Sequence, residues 1–247
     1  MIALLFALLI GASLVVLGAG GSIVTMPVLV YAAGLDAHQA AGTSLLVVGL
    51  VAFVGAAAKW RQVQLRSALI LGAAGTTGAI PGAWLNHAVP GTLVLVGFAA
   101  TALTAAWQML RNAKAQSRRS EAGCGLGLML LSGFGLGVAT GFFGVGGGFL
   151  IVPALTLIMG LDVDAATATS LLVIGLNSAA GLIGHMGYGA VEWHIGAQFA
   201  VTALLGGVLA LPLARQLNGL RLQRAFAAVL AVVGISILVQ SIGQWLA

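Results

Sequence analysis

The sequence predicts an all-α polytopic membrane protein of about ten transmembrane segments, arranged as two inverted five-segment repeats, each with a short Gly/Pro-interrupted helix. Three observations predict it: an apolar composition, a duplicated stretch of chain, and the placement of the basic residues. Of 247 residues, 60% are hydrophobic and 6% are charged, where water-soluble domains carry about 25% charged residues. Mean hydropathy is +1.12. A chain so poor in charge cannot cover a water-facing surface, so its surface faces lipid. A membrane helix needs about 20 apolar residues to cross a hydrocarbon core of about 30 Å, and such stretches recur along the whole chain. A β-barrel would show short segments alternating apolar and polar residues, and none are seen.

The duplication appears when Pro27 is set under Pro153, an offset of 126 residues. "GAGGSIVTMPVLVYAAGLDAHQAAGTSLLVVGL" from Gly18 then matches "GVGGGFLIVPALTLIMGLDVDAATATSLLVIGL" from Gly144 without a gap. The shared residues include the glycines at 18/144, 20/146 and 21/147, the prolines, a "GLD" and a "TSLL".

The apolar segments follow in order. In the first half they run 2–17, 22–34, 40–58, 67–85 and 91–110; in the second, 123–143, 148–161, 166–184, 194–213 and 225–245. This divides the chain into a first transmembrane repeat (1–110), a basic cytoplasmic linker (111–122) and a second repeat (123–247). "MIALLFALLIGASLVVLGAGG" lacks the positive start of a secretory signal and is read as the first span. The second segment of each half is short, about 13 residues or roughly 20 Å as helix. It crosses the bilayer only if the glycine stretch before it completes the passage.

Basic residues set the orientation. Lys59, Arg61 and Arg66 lie after the third segment, Arg111, Lys114, Arg118 and Arg119 between the halves, and Arg215, Arg221 and Arg224 after the ninth. Short loops rich in Lys and Arg face the cytoplasm. If all ten segments cross, these loops share one side. The loop after segment 3 is basic, yet its counterpart "GHMGYGAVEWH" has no Lys or Arg, and the loops after segments 4 and 9 show the reverse. Duplicated segments with exchanged loop charge imply inverted halves, with both termini periplasmic. The formal charge of +5 thus reads as membrane topology, and no nucleic-acid partner is expected.

The glycine stretches mark the candidate site. "GAGGS" and "GVGGG" each feed a short helix containing a proline, and paired Gly/Pro-interrupted segments point to the binding site of inverted-repeat transporters. Gly18, Pro27, Gly144 and Pro153 are the expected helix breaks. Irregular backbone at membrane depth survives only inside protein or beside a water-filled cavity. With no Lys or Arg inside a predicted span, a ligand there would meet free N–H groups at helix starts, which favour anions. Gly20, Gly21, Ser22, Gly146, Gly147 and Gly148 would present those groups. The hydroxyls of Thr43, Ser44, Thr169 and Ser170, and the amide of Asn177, would add neutral donors. Against this stand the structural roles of glycine in close helix packing and of Ser and Thr in bonding to their own preceding turn.

Other polar residues lie at segment ends. His185 is the candidate proton relay. Glu192 and His194 are close enough in sequence to couple, while Tyr188, Trp193 and His194 read as headgroup anchors. Asp36 and Asp162 are expected to cap the helices that follow them, and Cys124, the only cysteine, to be a buried, inert thiol. "GVGGGF" places Phe149 where a dinucleotide-binding pattern needs glycine, and no GK[ST] occurs. No cofactor, metal or enzymatic activity is expected.

The repeated glycine cluster, its proline, "GLD" and "TSLL" resemble the sulfite exporter TauE/SafE family of membrane transporters, over nearly the whole chain. The resemblance implies a bacterial inner-membrane carrier of a sulfur oxyanion or organosulfonate such as sulfite. It carries the glycines from 144 to 148, Pro153, Thr169 and Ser170, with their first-half equivalents, into the substrate site. The first half departs from the pattern at Ser22, where the second has Gly148. The expected function is secondary transport of a small anion by alternating access, with membrane lipid as the surrounding partner and assembly into a homo-oligomer left open. An anion channel, or a non-transporting scaffold or sensor, is the alternative.

Overall fold

The computed structural model describes residues 2–18, 20–112, 125–145, 148–157, 159–214 and Ile235. Among the described residues there are nine α-helices and no strands. They are α1 Ile2–Leu17, α2 Gly20–Tyr31, α3 Ala37–Ala58, α4 Leu65–Ala88, α5 Gly91–Asn112, α6 Leu126–Phe143, α7 Gly148–Leu157, α8 Val163–Met186 and α9 Trp193–Ala214. A 3-10 turn, Trp60–Gln62, joins α3 to α4. Residues 113–124, with Cys124 and most of the basic linker, and the tenth expected segment except Ile235 lie outside the described residues.

Helices α3, α4, α6, α8 and α9 are long and apolar enough to cross a membrane. Large apolar side chains cover their outer faces: Leu131 on α6 is 70% exposed and Leu209 on α9 is 71% exposed. Such a surface suits hydrocarbon, and the chain is an integral membrane protein. The short helices form, but α2 runs on through Pro27 and the ten-residue α7 through Pro153. The breaks fall at Gly18 and Gly144 and not at the prolines, each of which removes one helical N–H without ending its helix. Pro81 in α4 and Pro212 in α9 are further helix prolines.

Glycine decides which helices touch. α4 lies along α6, and α9 along α1, as the two most extensive pairings. A side chain at Gly78 would strike the Phe134 carbonyl, and one at Gly137 the Gly75 carbonyl. The same collisions recur with Gly206 on Leu8 and Gly11 on Ala203. Gly11 and Gly137 share one repeat position, as do Leu8 and Phe134. Aligning α4 and α9 on their first residues likewise pairs Gly75 with Ala203 and Gly78 with Gly206. Each half therefore packs its fourth helix on the first helix of the other half. The backbones approach so closely because no Cβ intervenes.

At the centre α3 packs on α8. Leu45 faces Gly181, Gly49 faces Ser178, Phe53 faces Gly175 and Gly55 faces Leu171, so the two helices run antiparallel. The short helices α2 and α7 also touch one another. Asp36 caps α3, its carboxylate accepting from the N–H groups of His38 and Gln39 at 2.8 and 3.0 Å. Asp162 occupies the equivalent position before α8 but makes no such side-chain bond.

Two breaks interrupt this bundle. Gly18 ends α1 with φ +69° and Gly144 ends α6 with φ +66°, left-handed values that a Cβ disfavours. Each N–H closes a last helical bond, Gly18 to Leu14 at 2.8 Å and Gly144 to Thr140 at 2.9 Å. A Cβ at Gly144 would fall on the Ala41 backbone, and one at Gly18 on Thr167. Gly18→Ala and Gly144→Ala should each destabilise the detergent-solubilised chain by about 2–4 kcal/mol, read as a fall in thermal midpoint. Gly135→Ala on α6, where nothing lies within 4 Å, should leave the midpoint unchanged or raise it.

Candidate functional site

The residues predicted for the site hold the breaks together across the two halves. Ser44 Oγ donates to the Gly144 carbonyl and approaches the Ala41 carbonyl at 2.9 Å. Its repeat partner Ser170 shares its one hydroxyl hydrogen between the Gly18 and Thr167 carbonyls, each at 2.8 Å. Thr43 Oγ1 accepts from the Glu192 N–H at 2.9 Å, at the entry to α9. Thr169 Oγ1 accepts from the Gln64 N–H at 2.9 Å, at the entry to α4. Each Thr-Ser pair thus satisfies one orphan donor and one orphan acceptor of the opposite half.

These two staples do not converge. In the antiparallel α3–α8 pairing, Ser44 lies near the end of α8 and Ser170 near the end of α3. About 12 residues, or roughly 18 Å of helix, separate them along the axis. Asn177 falls midway. Its side chain is fully buried, against Gly75 of α4, and neither its Nδ2 nor its Oδ1 has a hydrogen-bond partner. The adjacent Ser178 hydroxyl is buried and unpartnered as well. A buried amide without a partner costs about 1–3 kcal/mol, so this polar spot destabilises the apolar bundle around it.

Of the glycine stretches, Gly20, Gly21 and Ser22 open α2. Gly21 packs on Ile10 and Leu14 of α1, and Ser22 is fully buried. Gly148 opens α7, while Gly146 and Gly147 lie outside the described residues.

A second polar region was missed in the sequence. An open cleft of about 600 Å³ is lined by Asp36, His38, Gln39, His87, Thr92 and Tyr188, among others. Three of the chain's four histidines gather here. His87 stacks on Tyr188 with ring centroids 4.1 Å apart, and on His38 at 5.3 Å. His87 Nε2 lies 3.1 Å from Nδ1 of the fully buried His185. His185 Nε2 in turn lies 2.9 Å from the Gly141 carbonyl, in the last turn of α6. Asn86 Nδ2 donates to the Phe142 carbonyl at 2.6 Å and its Oδ1 faces His38 Nδ1 at 2.8 Å. Glu192 and His194 do not couple: Glu192 accepts from Gln39 at 3.3 Å, and His194 pairs with Gln198 at 3.0 Å. Tyr188, read as a headgroup anchor, joins the ring stack. His38 and His87 sit in "DAHQ" and "NHAVPG", far apart in sequence and without a motif, so only the fold brings them to His185.

One cation also approaches a break more closely than its loop position indicated. Lys59 Nζ donates to the Val15 carbonyl at 2.7 Å, near the C-terminus of α1, where a positive charge is favourable. Burial pushes this ammonium below its ordinary value, and Asp164 opposes that shift. Lys59 and Val15 are the repeat equivalents of His185 and Gly141.

The model of the sulfite exporter TauE/SafE family matches residues 3–237. The chain belongs to that family. A "Probable membrane transporter protein" of Xylella fastidiosa strain Temecula1 is 33% identical to it over 94% of the chain and 92% of the relative. Two proteins of Bacillus subtilis strain 168, "Probable membrane transporter protein YunE" and "Probable membrane transporter protein YdhB", are each 26% identical. The first covers 92% of both chains, the second 96% of this one and 100% of the relative. No solved structure matches. As a TauE/SafE member the chain is a membrane transporter, and the duplicated Thr-Ser of this TauE/SafE chain ties its halves together.

Thr43→Val and Thr169→Val keep the side-chain shape but leave the Glu192 and Gln64 N–H groups without acceptors. Each should cost about 1–2 kcal/mol in thermal unfolding. The double variant should lose the sum, because the staples share no partner.

Proposed function

We propose that this TauE/SafE member is a secondary transporter that moves a small anion, a sulfur oxyanion or organosulfonate such as sulfite, across the bacterial inner membrane by alternating access. The observation that carries the reading is the unpartnered Asn177 amide, buried midway between two helix breaks. The contacts exchanged between halves support an inverted pair of repeats, 1–110 and 123–247, joined by a cytoplasmic 111–122 linker, with both termini periplasmic. The 59–66 loop then faces the cytoplasm and the 184–193 loop the periplasm.

In this reading the Ser44–Gly144 staple closes the periplasmic side and the Ser170–Gly18 staple the cytoplasmic side. Opening one while the other holds gives the substrate access to Asn177 from one side at a time. An opened staple also releases the Thr43 and Ser44, or Thr169 and Ser170, hydroxyls as neutral donors. The starts of α2 (Gly20, Gly21, Ser22) and α7 (Gly146, Gly147, Gly148) add partial positive charge. Pro27 and Pro153 withhold a helical N–H in each short helix and leave a carbonyl free for rearrangement. The substrate class comes from the family description, with which a site of neutral donors and helix dipoles agrees.

Thermal unfolding of the purified chain with sulfite, sulfate, thiosulfate, short sulfonates and carboxylates tests this. A ligand at about 100 times its Kd should stabilise the fold by about 2.7 kcal/mol, and the sulfur anions are expected to do so. Asn177→Leu should leave the unliganded midpoint unchanged or raise it, since an unpartnered amide is removed, and should abolish the anion's stabilisation. Stabilisation by carboxylates alone would overturn the substrate class. An Asn177→Leu variant stabilised by sulfur anions as well as the native chain would overturn the site.

A further inference from the structure

The two breaks are capped by different chemistry at one repeat position. At the first, Lys59 Nζ donates to the Val15 carbonyl at 2.7 Å. At the second, His185 Nε2 meets the Gly141 carbonyl at 2.9 Å. The unperturbed lysine ammonium loses its proton at about pH 10.4 and the unperturbed histidine imidazolium at about pH 6.5. One break therefore meets an ammonium and the other an imidazole that becomes a cation only when it takes a proton.

The network fixes where that proton goes. The Gly141 carbonyl can only accept, so His185 carries hydrogen on Nε2 and offers a lone pair at Nδ1. His87 must then donate from Nε2 across the 3.1 Å contact, leaving its own Nδ1 lone pair open. Asn86 donates from Nδ2 to Phe142, so its Oδ1 accepts and His38 is protonated on Nδ1. The rings run from the cleft, where His38, His87 and Tyr188 line the wall, to the fully buried His185.

We propose that His87 and His185, with His38 beside them, form the binding site of a coupling proton that locks the periplasmic break. This rests on the transporter reading above and supplies its coupling ion. A proton from water in the cleft binds His87 Nδ1, and His87 passes its Nε2 proton to His185 Nδ1. His87 ends neutral with hydrogen on Nδ1, and His185 ends as imidazolium. The contact between the rings survives with donor and acceptor exchanged. The Nε2–H bond to Gly141 becomes charge-assisted, at a helix C-terminus that favours a cation. The outer break then matches the inner one, and loss of the proton loosens it.

The groups facing His185 agree with a site for a single proton. α3 brings His38, with Asp36 just before it. α4 brings His87, the turn after α8 brings Tyr188, and the segment entering α9 brings Glu192, held by Gln39. α6 contributes no titratable side chain, only the carbonyl. With one positive charge on His185, a second on His87 would meet it at a ring-centroid distance of 5.0 Å.

Hydrogen exchange of the full chain in lipid nanodiscs, corrected for the intrinsic effect of pH, tests the lock without any knowledge of the substrate. Between about pH 7.5 and pH 3.5, amides around 141–145 should become about fivefold more protected. Those around 15–18, capped by Lys59, should not change. His185→Gln still donates to Gly141 but cannot titrate, so its pH step should vanish. His87→Gln, which keeps His185 but removes the shared proton, should shrink the step or move it to lower pH. His194→Gln should behave as the native chain. If His185→Gln does not fold, His87→Gln decides. A native chain with no step, a step at both breaks, protection that falls on acidification, or a step untouched by His87→Gln would each overturn the proposal. Anion stabilisation is measured separately and survives or fails independently of this result.

Discussion

A carbonyl left open by a helix break inside a membrane has no water to turn to, and the rest of this structure is arranged around that constraint. An unsatisfied backbone group in hydrocarbon costs several kcal/mol. The Gly18 and Gly144 carbonyls meet it with a serine from the other half: Ser170 for Gly18 and Ser44 for Gly144. The threonine before each serine takes a backbone N–H at the entry to the other half's fourth helix. Neither half can satisfy its own break. The duplicated "TS" is thus a mutual dependence between the halves.

The same dependence explains why so many glycines are needed. Serine reaches a carbonyl in the opposite half only if helices approach backbone to backbone. The glycines of α4 against α6, and of α1 against α9, permit that approach. Apolar packing alone does not select these contacts, because lipid tails are as apolar as the side chains. Steric fit and a few polar bonds select them instead. The departures from reciprocity stand out on this background. Asn177 occupies the place of Val51, His185 that of Lys59, and Asp36 caps its helix where Asp162 does not. The first puts a polar group at the centre of the bundle, and the second sets an imidazole against one break where the other has an ammonium.

Much of the fold was legible in the sequence because lipid imposes a simple rule. Long apolar runs must be helices, and α3, α4, α6, α8 and α9 lie where those runs lie. The breaks at Gly18 and Gly144 were legible because clustered glycines are costly in a helix and occurred twice at one spacing, whereas Pro27 and Pro153 proved to lie within α2 and α7. The roles of Thr43, Ser44, Thr169 and Ser170 were not. Their positions at helix starts fit donors for a ligand, and only the partner half showed that their bonds go to backbone. The cleft was hidden for a related reason. His38, His87 and His185 lie on three helices, and nothing local distinguishes a histidine in a ring stack from one facing headgroups.

The sequence by itself determined that the chain lives in lipid, that it is doubled, and where its helices break. Those properties follow from transfer free energy and backbone geometry, which act residue by residue. Tertiary structure decided which groups answer one another: Ser170 to Gly18, Lys59 to Val15, His87 to His185. Such pairings depend on where helices distant in sequence cross, and short-range preferences carry no record of that.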